Sequence, residues 1–144
     1  TIPADLIWEI TRGHSSTLVK RNSGRDQFSR DKLNLRNKYG RKHEGLVADK
    51  AIGIQPSSSG GITLTTKKAN KQNAPASQLQ ESSFGSSTST RKVYKAIVNS
   101  TAKRGYRPDL RQDAVARASA LRKGQKDPKA DKPTKARGAK AKKA

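Results

Sequence analysis

Cysteine is absent from this chain. That excludes disulfides and thiolate zinc sites, and with them the zinc-finger and zinc-ribbon classes of nucleic-acid binder. Methionine is absent too, and a small Thr1 in first position fits removal of an initiator. Aromatics are scarce: one Trp, two Phe and three Tyr among 144 residues. With only 31% hydrophobic residues, the chain can build one modest core but not an enzyme with a deep pocket. No apolar run approaches the length of a membrane span, and no secretory signal pattern is present. The two histidines, His14 and His43, lack metal-ligand spacing with each other or with acidic partners, and His43-Glu44 reads as a solvated or phosphate-facing pair. No nucleophile elbow and no Gly-Lys-Ser/Thr phosphate loop occurs. Neither an enzyme nor a cofactor is expected.

Acidic residues are the other shortage. Eleven Asp and Glu face 32 Lys and Arg, a formal net charge of +21. Self-repulsion at this level works against compaction unless a polyanion neutralises it. Nucleic acid is the expected partner, because each phosphate contacted releases condensed counterions. An anionic membrane would call for a broad amphipathic helix or a lipidation signal, and the sequence offers neither. No membrane and no small-molecule substrate is therefore expected.

The charge is distributed along an α+β pattern. Residues 1–68 read as a folded body. Pro3 and Asp5 suit a helix start, and Leu6, Ile7 and Ile10 share a helical face, although Leu6, Trp8 and Ile10 also alternate as in a strand. Ser16–Arg21 reads as a strand with Lys20 and Arg21 at its exit. Residues 22–45 form a long basic loop in which Arg25, Arg30, Lys32, Arg36, Lys38, Arg41 and Lys42 alternate with Phe28, Leu33, Leu35 and Tyr39. Such a loop offers phosphate contacts, with Phe28 and Tyr39 either stacking on bases or anchoring the loop to the core. Ala51–Gln55 and Ile62–Thr66 read as a β-hairpin around the turn Pro56–Gly61, with Lys67 and Lys68 at its exit.

Residues 69–89, rich in Ser, Gln, Asn and Ala, read as a linker without a core. Residues 90–124 read as two basic helices. The first is capped by Thr88, Ser89 or Thr90, runs to about Lys103, and puts Val93, Tyr94, Ile97, Val98 and Thr101 on one face, with Arg91, Lys92, Lys95, Lys103 and Arg104 largely outside it. The second opens at Tyr106-Arg107-Pro108-Asp109 and stops at Gly124, with Leu110, Ala114, Ala118 and Leu121 inward and Arg111, Arg117, Arg122 and Lys123 on or near the other faces. Arg107 and Arg111, beside Tyr106, are placed to grip adjacent phosphates, to pair with Asp113 and Asp109, or to do both at once. Residues 125–144 are a Lys/Ala/Pro tail; from Arg122 onward there are ten basic and two acidic residues and nothing apolar larger than Ala beyond Leu121, so this segment cannot fold alone and is expected to be disordered or ordered by RNA.

Zipper heptads, finger spacings and the aromatic signature of an RNA-recognition-motif sheet are missing. A small body with a basic loop and basic tail instead suits threading through folded RNA. The ordered series LIWEI (Leu6–Ile10), STLVKRN (Ser16–Asn22), QFS (Gln27–Ser29), Asn34-Leu35, HEGL (His43–Leu46), YRPDLR (Tyr106–Arg111) and ARASAL (Ala116–Leu121) resembles the eukaryote-specific family of large-subunit ribosomal proteins numbered twenty-eight. The resemblance implies an α+β body, contacts with ribosomal RNA and adjacent ribosomal proteins, a structural role in cytoplasmic translation with nucleolar passage during assembly, and no catalytic residues. Two rivals are a ribosome-assembly factor sharing the fold, expected to carry an acidic or Cys-bearing extension, and a linker-histone-like chromatin protein suggested by the tail.

Overall fold

The computed structural model describes residues 2–21, 26–71, 73–128 and 130. The chain is α+β, and its described residues form two small antiparallel sheets and three α-helices. Helix α1 spans Ala4–Thr11, with Pro3 in extended conformation at its N-cap and Asp5 in the first turn. Of the two readings the sequence allowed for this stretch, the helical one holds. Strands β1 (Leu18–Val19) and β2 (Phe28–Ser29) pair antiparallel, and Phe28 bridges onward to Lys38.

The expected hairpin forms β3 (Ile52–Pro56) and β4 (Ile62–Lys67), with Ile54 opposite Leu64. Pleating sends Ile52, Ile54, Ile62 and Leu64 to one face. Helices α2 (Thr90–Ser100) and α3 (Arg111–Gly124) cover that face with Val93, Ile97, Ala114 and Ala118, joined by Leu110 and Leu35. Two fully buried alanines let α3 lie close to the strands. Each buried Ile or Val contributes roughly 1.5–3 kcal/mol.

The opposite face of the hairpin is covered by the loop that the sequence left without structure. A Cβ on Gly53 would stand 2.4 Å from the Lys32 carbonyl, so the loop backbone crosses directly over β3. Gln55 Nε2 donates to the same carbonyl at 3.0 Å. The loop holds its shape through side chains that bond its own backbone. Asp31 accepts from the N–H groups of Leu33 and Gly45, and buried Asn34 accepts from those of Arg36 and Asn37 while donating to the Lys38 carbonyl. Asn37 takes the left-handed φ of 57° that Asn tolerates.

The linker reading of residues 69–89 requires correction. Leu79–Phe84 is a third strand, β5, paired along β4 from Lys67 opposite Leu79 to Ile62 opposite Phe84. Its sequence, LQESSF, is exposed on both faces except at Phe84, which packs on the core. Main-chain hydrogen bonds therefore hold a strand whose side chains give no hydrophobic period. The lysine- and alanine-rich segment 131–144 and the loop residues 22–25 lie outside the described residues.

Candidate nucleic-acid interface

Several cations that the sequence marks for phosphate serve the fold. Lys67, the last residue of β4, is 8% exposed. Its ammonium donates to the carbonyls of Gly45, Leu46 and Ala48 at 3.1, 3.2 and 2.9 Å. All three N–H donors are saturated, and burial pushes the amine's pKa below its ordinary value. The Tyr106 hydroxyl accepts from the Ala51 N–H at 3.1 Å and donates to the Lys67 carbonyl, tying the α2–α3 connection to both strands. Arg107 bonds both oxygens of Asp109 at 2.9 and 2.8 Å, and its remaining N–H groups reach the carbonyls of Lys50 and Lys42, both at 2.9 Å. That hydrogen bond, more than simple charge proximity, holds the Asp109 carboxyl below the usual range. It also offsets the left-handed φ of 50° at Arg107. Lys67, Tyr106 and Arg107 thus hold strands, loop and helix connection together, and the Arg107–Asp109 pair is one the sequence offered alongside phosphate contact.

Others are partly engaged. Arg122 donates to the carbonyls of Ser86 and Thr88, stapling α3 to the end of β5. Arg41 pairs with Asp5, and Arg36 lies 3.8 Å from Asp113. Arg117 is half-buried, with its Nε shielded from solvent. Tyr39 packs on Trp8 with ring centroids 5.3 Å apart, and Arg21 sits over Phe28 at 5.7 Å. Both loop aromatics are half-buried and each makes a contact within the protein. His43-Glu44 is not solvated either: the imidazole packs near Asp113 at 3.9 Å, and Glu44 is 2% exposed. Burial lowers the His43 pKa and raises that of Glu44.

The remaining cations among those singled out, namely Lys20, Arg30, Lys32, Lys38, Lys42, Lys68, Arg91, Lys92, Arg104, Arg111 and Lys123, are exposed. Arg25 lies outside the described residues. Two concave surfaces gather some of them. One hollow of about 530 Å³ is walled by Lys50, Lys68, Lys71 and Arg104 over a floor that includes Tyr106 and Thr66; among the described residues no carboxylate lines it. The second is a groove of about 1040 Å³ between α2 and α3, with Tyr94, Val98 and Val115 in its floor, Asn99, Gln112 and Ser119 along it, and Lys95, Lys103 and Arg111 at its edges. Its one carboxylate, Asp109, is neutralised by Arg107. Helical spacing creates the groove: Lys95 and Asn99 lie one turn apart on α2, as do Gln112, Val115, Ala116 and Ser119 on α3.

The short turn Ala102–Arg104 joins these surfaces, since Lys103 borders the groove and Arg104 the hollow. Concave walls of one sign focus the field and concentrate counter-ions. An arrangement of ammonium and guanidinium groups with an aromatic floor and free amides can hold phosphates and stack or hydrogen-bond bases. Sequence reasoning picked Lys68, Arg104 and Arg111 from this surface, placed Lys95 and Lys103 outside the apolar face of the first helix without choosing them as RNA contacts, and passed over Lys50 and Lys71. Position at either end of the hairpin was the only signal for Lys50 and Lys71.

A profile of the ribosomal L28e protein family matches residues 6–124. A large ribosomal subunit protein, eL28, from Schizosaccharomyces pombe is 37% identical over 130 residues, covering 90% of this chain and 97% of that protein.

Proposed function

The chain belongs to the ribosomal L28e family, and from that premise we propose that it is a structural constituent of the large ribosomal subunit that binds and stabilises folded ribosomal RNA during cytoplasmic translation. The observation that carries the RNA-binding part is the hollow of Lys50, Lys68, Lys71 and Arg104, lined by no carboxylate among the described residues. Phosphates in the hollow and unstacked bases over Tyr94 and Val98 suit structured RNA with single-stranded elements. Neighbouring ribosomal proteins are the second class of partner, and passage through the nucleolus would accompany assembly. The role is one of binding and position, with no reaction to catalyse.

Sedimentation tests this reading. The protein is expected to travel with large subunits and polysomes through a sucrose gradient and to survive a high-salt wash. Lys68→Glu combined with Arg104→Glu should release it at lower salt. Restriction to nuclear pre-ribosomal particles would favour an assembly factor instead, and recovery in chromatin would overturn the ribosomal role.

A further inference from the structure

Helix α1 buries no side chain, yet it is apolar. Ile2, Leu6 and Ile10 are 70%, 50% and 68% exposed. Their spacing of four sets them in one stripe along the helix and its N-terminal extension. The helix cannot simply roll to hide them, because its other side is fixed. Trp8 packs on Tyr39, the Tyr39 hydroxyl donates to the Thr11 carbonyl at 3.4 Å, and Arg41 grips Asp5 at 2.9 and 3.1 Å. Three large aliphatic side chains held outward on a rigid mount make a patch that water disfavours and an apolar surface would cover.

Charge decides what covers it. In a chain of net charge +21, residues 2–11 contain no Lys or Arg and two carboxylates, Asp5 and Glu9. Arg41 engages only Oδ1 of Asp5, and Arg12 only Oε2 of Glu9, which leaves Asp5 Oδ2 and Glu9 Oε1 open among the described residues. A phosphate backbone or anionic bilayer brought to this stripe would meet two carboxylates. A protein surface bearing an apolar patch edged by Lys or Arg would instead complete both the stripe and the open oxygens.

We infer that the Ile2/Leu6/Ile10 stripe of α1 docks a basic protein of the same particle, making the N-terminal helix a protein-binding face opposed in character to the RNA-binding hollow. The inference rests on the ribosomal reading above.

Site-specific photo-crosslinking separates the two. A photoreactive phenylalanine analogue is placed at Leu6 in one variant and at Lys68 in another, each expressed in cells. Large subunits are then isolated after a salt wash, irradiated, and digested with RNase or protease. The probe at position 6 should give an adduct to a different protein that survives RNase, mapped to a Lys/Arg-rich segment. The probe at position 68 should give an RNase-sensitive adduct. With the probe at Ile10, adding Leu6→Ser should abolish the protein adduct without removing the chain from the subunit. An RNase-sensitive adduct at position 6, a homodimer, or no adduct while position 68 still reacts would overturn the docking face and leave the RNA interface standing. Absence of the chain from the subunit fraction would overturn both.

Discussion

Lys67 and Lys68 are adjacent and chemically identical, and the pleat of β4 gives them opposite duties. Lys67 points into the loop that covers the hairpin and satisfies three carbonyls; Lys68 stands at the wall of the cationic hollow. Replacing Lys67 by Met should destabilise the fold by roughly 1.5–3 kcal/mol, the range for hydrogen bonds to a charged donor. Lys68→Met should change stability by no more than about 0.5 kcal/mol while weakening RNA binding. Urea unfolding and RNA titration on both variants read this exchange of phenotypes directly. Glu44 makes a second prediction, with a pH sign. Its carboxylate is buried, and neither oxygen meets a donor among the described residues in good geometry; the nearby Leu46 N–H offsets only part of the penalty. Burial, reinforced by Asp31, raises its pKa above the ordinary 4.5, so the folded state holds the proton more tightly than the unfolded chain. The favourable contribution of the neutral carboxyl is complete below pH 4.5 and is lost as pH rises through the raised folded-state value. Glu44→Gln, permanently neutral, is expected to stabilise the protein at pH 7 by about 1 kcal/mol. The advantage should shrink as pH falls toward 4.5, and thermal melts of both proteins across that interval measure it.

Elements that bury a periodic apolar face were legible in the sequence; those held by backbone or by local polar bonds were not. The hairpin declared itself through Ile52, Ile54, Ile62 and Leu64, and α2 and α3 through Val93, Ile97, Ala114 and Ala118, because each alternates at the period of its element. β5 was missed because an edge strand needs only main-chain bonds to β4, and Ser82 and Ser83 carry no hydrophobic signal. The basic loop looked structureless because its order comes from Asp31 and Asn34 folding backbone around themselves. The same limit applied to the interface. Charge told which residues suit phosphate, but only the pleat and the turns told which point outward, so Arg107 and Lys67 read like Arg104 and Lys68. Gly53 exposes the coupling between loop and hairpin. A methyl group there would collide with the Lys32 carbonyl, which is backbone and cannot swing aside. Gly53→Ala should cost about 1–3 kcal/mol, as overpacking does, with the denaturant midpoint falling accordingly. It should also loosen hydrogen-exchange protection around Leu33–Leu35, whereas amides of β5, remote from that crossing, should keep theirs.

At the scale of the whole molecule, charge and fold oppose each other. A net +21 on 144 residues exceeds what the small set of ion pairs can balance, and several of those pairs are exposed and contribute little. Free protein should therefore gain stability as salt screens the repulsion, with the melting temperature rising between about 50 and 500 mM NaCl as the Debye length shortens from beyond 10 Å to a few ångströms. Binding should run the other way, since each cation on a phosphate releases counterions that salt makes costly to release. Neutralising Lys68 and Arg104 together should flatten the plot of log affinity against log salt by about one unit per residue. Lys67→Met should leave that slope unchanged, because its ammonium already belongs to Gly45, Leu46 and Ala48. Opposite signs for the two salt dependences are the signature of a chain whose compact state is completed by a polyanion. A melting temperature that fell with salt would mean instead that the ion pairs on the surface outweigh the repulsion, and that the excess charge exists for capture of the partner alone.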